Sequence, residues 1–303
     1  MMAKANTRRL PGDCCELGEG PSYERATDTA WWLDIVGRKL IEHRFRAGVT
    51  IAHNLPRMAS LVARIDDERQ LIAMDDGLYQ RRRADGALSL LVPLESGNAA
   101  TRSNDGRVHT SGRLWIGTMG KKAEKHAGSI YWSDGVTVER LYPDITIPNS
   151  ICFSPDGATA CFADTAVNTV WRVAVDPANG RPIGEPERFL SGRELPLGGH
   201  FDGSVVDADG VMWNAAWGGG SVSGFAPDGH LVETFEVPAG QTSCPCFVGP
   251  DLDRMLVTSA WQGLSPAARD ADPGAGHTHV IEGRFRGLAD SDFVFRTEGK
   301  GDR

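Results

Sequence analysis

No segment of this sequence is apolar for long enough to cross a bilayer, and the opening MMAKANTRRLPGD lacks the apolar core of a secretory signal. A membrane partner is therefore not expected, and a cytoplasmic location is the default. Clustered basic residues are equally scarce. Lys and Arg number 32 against 40 Asp and Glu, for a formal net charge of −8. Phosphate backbones are bound by grouped Lys and Arg, so nucleic acid is excluded as the expected partner. The basic run Arg81-Arg82-Arg83 follows a strand-like segment and reads as a solvated strand end. The six cysteines, Cys14, Cys15, Cys152, Cys161, Cys244 and Cys246, form no Cys-x-x-Cys pair and have no histidine cluster beside them. That pattern argues against a zinc–thiolate site and for buried small residues or free thiols in a reducing compartment. A Gly-x-Ser-x-Gly nucleophile elbow in a strand-to-helix setting is also missing, because GGGSVSG (218–224) falls on a turn and a strand. Covalent serine catalysis is disfavoured accordingly. Helical periodicity is hard to find over any long window.

What the chain does contain is a succession of short β-rich runs bounded by Gly, Pro, Asp and Asn. Hydrophobic residues make up 41% of the 303 positions, enough to bury a substantial core. One unit recurs, a turn followed by a compact apolar run: ATDTAWWLD (26–34), DDERQLIAMD (66–75), SGRLWIGT (111–118), PDGATACFAD (155–164), ADGVMWNA (208–215) and PDLDRMLVTS (250–259). A further strand-like unit follows each of them. The centres of the apolar runs lie 40 to 52 residues apart. Such a period in an all-β chain indicates a propeller blade. Six blades use the full length, so residues 1–303 are expected to form one six-bladed β-propeller domain. A ring also leaves fewer sheet edges exposed than six separate meanders would. LSPAARDADPGAG (264–276) is expected as an insertion between the last two strands, with a helical turn at one mouth of the channel.

In FDGSVVDADGVMW (201–213) two Asp-Gly pairs stand seven residues apart. Val211-Met212-Trp213 is a strand, so Asp209-Gly210 is the hairpin turn before it. Asp202 then begins the preceding strand, which in a propeller blade lines the channel. The same offset from the other blade turns selects Glu19, Asn104, Asn149 and Ser243, and in the second repeat the stretch around Met58. Seven strand residues span roughly 20 Å, so this set is expected at the channel end opposite the turns. Glu19, Asn104, Asn149 and Asp202 would converge there from four blades. No Lys or Arg occupies an equivalent position. Unpaired carboxylates in a narrow channel are unfavourable by several kcal/mol, as an order of magnitude. A hard divalent cation held by oxygens and water is the simplest partner: Ca²⁺, Mg²⁺ or Mn²⁺, whereas Zn²⁺ more usually brings His or Cys. His109 and His200, close by in sequence, read as surface or hydrogen-bonded histidines.

The stretches LGEGPSY, RSNDGRV with SGRLWIGTM, IPNSICFSPDG, HFDGSVVDADGVMWNAAWGGG and TSCPCFVGPDLDRMLVTSA resemble, in order, the motifs of the regucalcin/gluconolactonase family. The resemblance runs from about Glu16 to about Glu282. It implies a six-bladed propeller with one divalent metal in the channel, Ca²⁺ first among the choices, and hydrolysis of sugar lactones. Carried over, it implies Glu19, Asn149 and Asp202 as metal ligands, with Asp202 also the general base. Asn104 would sit beside the metal and Arg102 on the substrate. WNAAWGGG and GPDLDRMLVTSA most resemble bacterial members acting on lactones of aldonic or related sugar acids. Two places depart from the pattern. Where animal members carry an acidic pair after GTM, this chain has Gly120-Lys121-Lys122, and the usual Asp after RxNDGKV is His109. Lys122 beside Arg102 would favour a substrate with an extra carboxylate, an aldaric acid lactone.

The chemistry so implied is simple. The cation would polarise the lactone carbonyl and offset the charge of the tetrahedral intermediate. Asp202 would activate water, while Arg102 and Asn104 orient the ring. A non-catalytic calcium-binding or regulatory propeller, and a metal-dependent hydrolase of other esters or organophosphates, are the competing readings. The partner expected is a small-molecule sugar lactone, and the assembly a monomer or weak homo-oligomer.

Overall fold

Tight turns divide the chain into six four-stranded antiparallel blades around one axis, five of them built on four consecutive strands. The computed structural model describes residues 2–3 and 6–295. The innermost strands of blades one to six are Gly18–Glu24, Ala59–Arg64, Thr101–Val108, Pro148–Phe153, His200–Val206 and Thr242–Val248. The architecture is the six-bladed β-propeller expected from the repeat. Alternate residues of each inner strand fill the spaces between blades. In blade two, Ala59 and Val62 join the core shared with blade one, while Leu61 and Ala63 join the core shared with blade three. Full burial of one such aliphatic or aromatic side chain contributes about 1.5–3 kcal/mol.

The ring closes in a way the repeat did not reveal. Blade six takes Arg254–Ser259 and His279–Glu282 from the end of the chain, and its outermost strand, Asn6–Arg9, from the start. Asn6 lies opposite Glu282 and Arg9 opposite His279. A further short strand, Met2–Ala3, pairs in parallel with Leu231–Glu236 on the outside of blade five.

Every inner strand loses register once, at the same level of the ring. The breaks fall between Glu19 and Ser22, Ala59 and Leu61, Ser103 and Gly106, Asn149 and Cys152, Phe201 and Ser204, and Thr242 and Pro245. A bulge bends its strand and re-aims the extra side chain. By pairing, Asn104 and Asp202 lie inside their bulges, whereas Glu19 and Asn149 are the last paired residues before theirs. The common offset of seven residues is thus true to within one position. Gly20 shows how closely the blades meet here. Its φ is +54°, and a Cβ on it would come within 2.2 Å of the Ser60 carbonyl, so only glycine fits.

Second strands run back to the bulge end of the channel, which places the blade-six insertion at that mouth. Its backbone is tied there: Trp261 N and Gln262 N donate to Glu16 O at 3.1 and 2.9 Å. The helical turn is Pro266–Ala271, with Ser265 Oγ accepting from Ala268 N as its N-cap. At the opposite end, residues 283–295 strap across the blade turns. Arg286 pairs with Asp209, Asp290 Oδ2 accepts from Tyr23 N at 3.0 Å, and Phe293 N donates to Arg64 O at 2.7 Å. Val294 N reaches Gly112 O at 3.0 Å. The strap therefore joins blades five, one, two and three. Among the described residues no helix is long and apolar enough to cross a membrane.

Candidate active site

Three of the residues selected from the sequence, Arg102, Asn104 and Asn149, are hydrogen-bonded in series, and the series ends on the backbone next to Asp202. Arg102 Nη1 donates to Asn104 Oδ1 at 2.7 Å and to Ser103 O at 2.8 Å. Asn104 Nδ2 donates to Asn149 Oδ1 at 3.0 Å and to Pro148 O at 2.9 Å. The Asn149 amide is held from its other end, where Nδ2 donates to Thr165 Oγ1 at 2.7 Å. Thr165 in turn donates to Phe201 O at 2.7 Å, the residue before Asp202. The Asp202 carbonyl accepts from Ser150 Oγ at 2.5 Å and Asn214 Nδ2 at 3.0 Å. These bonds pin the blade-five bulge from both sides. Glu19 Oε2 accepts from Gly20 N, the first residue of its blade's bulge, at 3.1 Å.

Burial dominates the electrostatics of this ring. Glu19, Asp105 and Asp202 are each no more than 6% exposed. Desolvation disfavours the charged carboxylate, and neighbouring carboxylates add to the effect. Burial, with Asp105 next, pushes Glu19 up to about 8 against the pull of Gly20 N–H, Arg102 and Arg107. Asp202 is raised well above the usual carboxylate range by burial and then by Glu19 and Asp105. Burial lifts Asp105 to about 6, opposed by Arg107 and by the N–H groups of Ile151 and Gly106. Arg102 is brought down to about 10 by burial despite Glu19 and Asp202. Cys244 faces the same carboxylates, and burial first among several causes holds it as a neutral thiol.

Residues 17–261 match the SMP-30/Gluconolactonase/LRE-like region. The chain belongs to this family. A protein of Rhizobium meliloti (strain 1021), provisionally named a sugar lactone lactonase, is 51% identical over 282 residues, 92% of this chain and 95% of its own. The L-arabinolactonase of Azospirillum brasilense is 34% identical over 292 residues, covering 93% of this chain and 94% of its own. Among solved structures, a calcium-binding protein, regucalcin, from Agrobacterium tumefaciens str. C58 superposes with a TM-score of 0.93 at 46% identity. That match covers 96% of this chain and 98% of the other.

The residues present fit a hard divalent cation, on the chemistry of their donors. Among the described residues, no three His, Cys, Asp or Glu side chains gather so as to hold a metal. The donors selected from the sequence are two carboxylates, Glu19 and Asp202, and the amide oxygen of Asn149, oxygens of the kind that such a cation takes. Asn149 Oδ1 has a second lone pair beyond the one that Asn104 occupies. A dication would also relieve the carboxylate repulsion that adds to burial in raising Glu19 and Asp202.

Lys122 is not brought to this cluster. It is exposed on the turn after Leu114–Gly120, while Arg102 is buried. Lys121 Nζ pairs with Asp75 at 3.0 Å, and the Lys122 ammonium makes no hydrogen bond or ion pair among the described residues. His109 is fully buried at the turn end, with Nε2 2.9 Å from Gly157 O and Nδ1 2.8 Å from Ser111 Oγ. His200 is exposed, its Nδ1 3.2 Å from Thr165 O. All six cysteines are free.

Two charged residues of the axial core escaped the sequence reading. Asp105 accepts from Ile151 N at 2.7 Å, and Arg107 donates to Ser204 O at 3.0 Å and pairs with Asp290 at 3.2 Å. Both follow Asn104 in RSNDGRV, but linear alternation does not show which of them turns inward past a bulge.

Proposed function

We propose that this family member hydrolyses a sugar lactone to the open sugar acid with the help of a divalent cation, Ca²⁺ in the first instance, held by Glu19, Asn149 and Asp202. The observation that carries the reading is the buried set of Arg102, Asn104 and Asn149, hydrogen-bonded in series at one end of the channel, with Thr165 linking Asn149 to the backbone just before the buried Asp202. Its setting is a chain 34% identical to an L-arabinolactonase along nearly the whole of both. The cation, when bound, would supply positive charge against the oxygen of the lactone carbonyl. The chain's own residues do the rest. Asp202 takes a proton from the attacking water, the acyl C–O bond of the ring breaks, and the proton passes to the departing ring oxygen. Water is thus added across one cyclic ester bond. Arg102 and Asn104, fixed against each other, hold the ring for attack and reduce the entropic part of the barrier.

A panel of an aldonolactone, an aldarolactone and an aryl ester, each with and without chelator, tests this. Hydrolysis of the aldonolactone is expected to exceed that of the ester and to stop with chelator. Calcium binding without turnover of any member would favour a binding propeller, and preference for the ester would favour a different hydrolase. The panel also tests a finer reading. Lys121 is taken up by Asp75, which leaves Lys122 and Lys125 as cations of the turn, and Lys122 is the one proposed to meet a second substrate carboxylate. If it does so, Lys122→Ala lowers kcat/KM severalfold for the aldarolactone alone. Equal wild-type values for the two lactones, unchanged in Lys122→Ala, would reject that role.

A further inference from the structure

The first bulge residue of each blade forms a ring: Gly20, Ser60, Asn104, Ser150, Asp202 and Ser243. The hydroxyls and amide of this ring are bonded in three cases. Ser150 Oγ donates to Asp202 O at 2.5 Å, Ser243 Oγ lies 2.9 Å from Thr258 Oγ1, and Asn104 bridges Arg102 and Asn149. Ser60 stands apart. It is 1% exposed, and its Oγ has no hydrogen-bond partner among the described residues. Its neighbours Ala59, Leu61, Val62 and Ala63 are shared out between the two flanking apolar cores. Its backbone abuts the Glu19–Gly20 bulge of blade one.

A buried hydroxyl without a partner is destabilising, and alanine would be the stabler residue there unless the hydroxyl serves something that the folded protein takes up. The position in the ring says what that would be. Ser60 occupies in blade two the place that Asn104 and Asp202 occupy in blades three and five. It can donate and accept at once, which is what a sugar hydroxyl requires of its partner. We infer that Ser60 is a further substrate-binding residue, whose Oγ hydrogen-bonds a ring hydroxyl of the bound lactone. This inference rests on the lactonase reading. Recognition of this kind discriminates strongly, since an analogue lacking the hydroxyl leaves the protein's own polar group unpaired.

The test is Ser60→Ala in the full chain, loaded with Ca²⁺, assayed on L-arabinono-1,4-lactone and on unsubstituted γ-butyrolactone. The ratio of kcat/KM for the hydroxylated over the plain lactone is expected to fall about tenfold, mainly through KM. The metal-free Tm is expected to equal or exceed that of wild type, which separates lost recognition from lost fold. An unchanged ratio overturns the proposal, whatever the Tm does. Calorimetric titration with L-arabinonate keeps the two readings distinct: wild-type protein that turns over neither lactone counts against the lactonase reading. Equal affinity of the two proteins for the acid still overturns the role of Ser60, and weaker binding by the variant supports it.

Discussion

Asp202→Asn is expected to lower kcat/KM for a sugar lactone by about 10²–10⁴-fold while the propeller stays folded, the range that a positioned general base contributes. The substitution keeps the shape of the side chain and removes its charge. Burial, and then Glu19 and Asp105, opposes the charged form of Asp202 in the cation-free protein, so a neutral amide is no less favourable there. Thermal unfolding without cation should therefore occur at the same or a higher temperature than in wild type. Added Ca²⁺ should raise the Tm of wild type more than that of the variant, because one charged oxygen donor has gone. The hydrogen bonds that fix the bulge end on the Asp202 carbonyl and are left in place. Wild-type turnover by Asp202→Asn, with or without chelator, would remove Asp202 from the mechanism.

Asp290→Ala carries the largest expected effect on stability, about 3 kcal/mol and roughly 5 °C or more in Tm. Burial works against the Arg107 guanidinium, and the Asp290 carboxylate is foremost among the groups that more than offset it. Side-chain exposure of the pair is 16% and 26%, so solvent screens it only in part. Asp105 faces the same guanidinium, which keeps the loss at the lower end for a broken buried pair. Asp290 also accepts from Tyr23 N, so the variant frees the strap from blade one as well. Replacing both partners with apolar residues, Arg107→Met with Asp290→Leu, should recover much of the loss, because no buried charge is then left alone. Guanidinium unfolding curves of the three proteins measure this directly. A single variant within about 0.5 kcal/mol of wild type would show that the strap contributes little to the ring.

The blade count was legible because each blade repeats a local event, a turn and then a buried apolar strand, and local events leave a period. WWLD, LIAM and LWIGTM are such strands, and the structure has them as the second strands of blades one to three. The strand Asn6–Arg9 was not legible. NTRR is short and mostly exposed, and it becomes a strand because the free edge of His279–Glu282 waits for it across the whole length of the chain. The strap after Glu282 was silent for a similar reason. Its anchors, Asp290 on Arg107 and Asp292 on Arg64, are ordinary surface residue types until the ring brings their partners beneath them.

By itself the sequence determined the six-fold repeat, the channel-lining strand of each blade and the oxygen-bearing residues at its start, since all three depend on spacing along one strand. Tertiary structure alone decided that Asp105 and Arg107 lie in the axial core, that Lys122 stays at the surface and that Ser60 is buried with its hydroxyl unpaired. The physical reason is the bulge. One extra residue in each inner strand switches which side chains face the axis, and a change of direction of that kind is set by contacts between blades, which no single stretch of sequence contains.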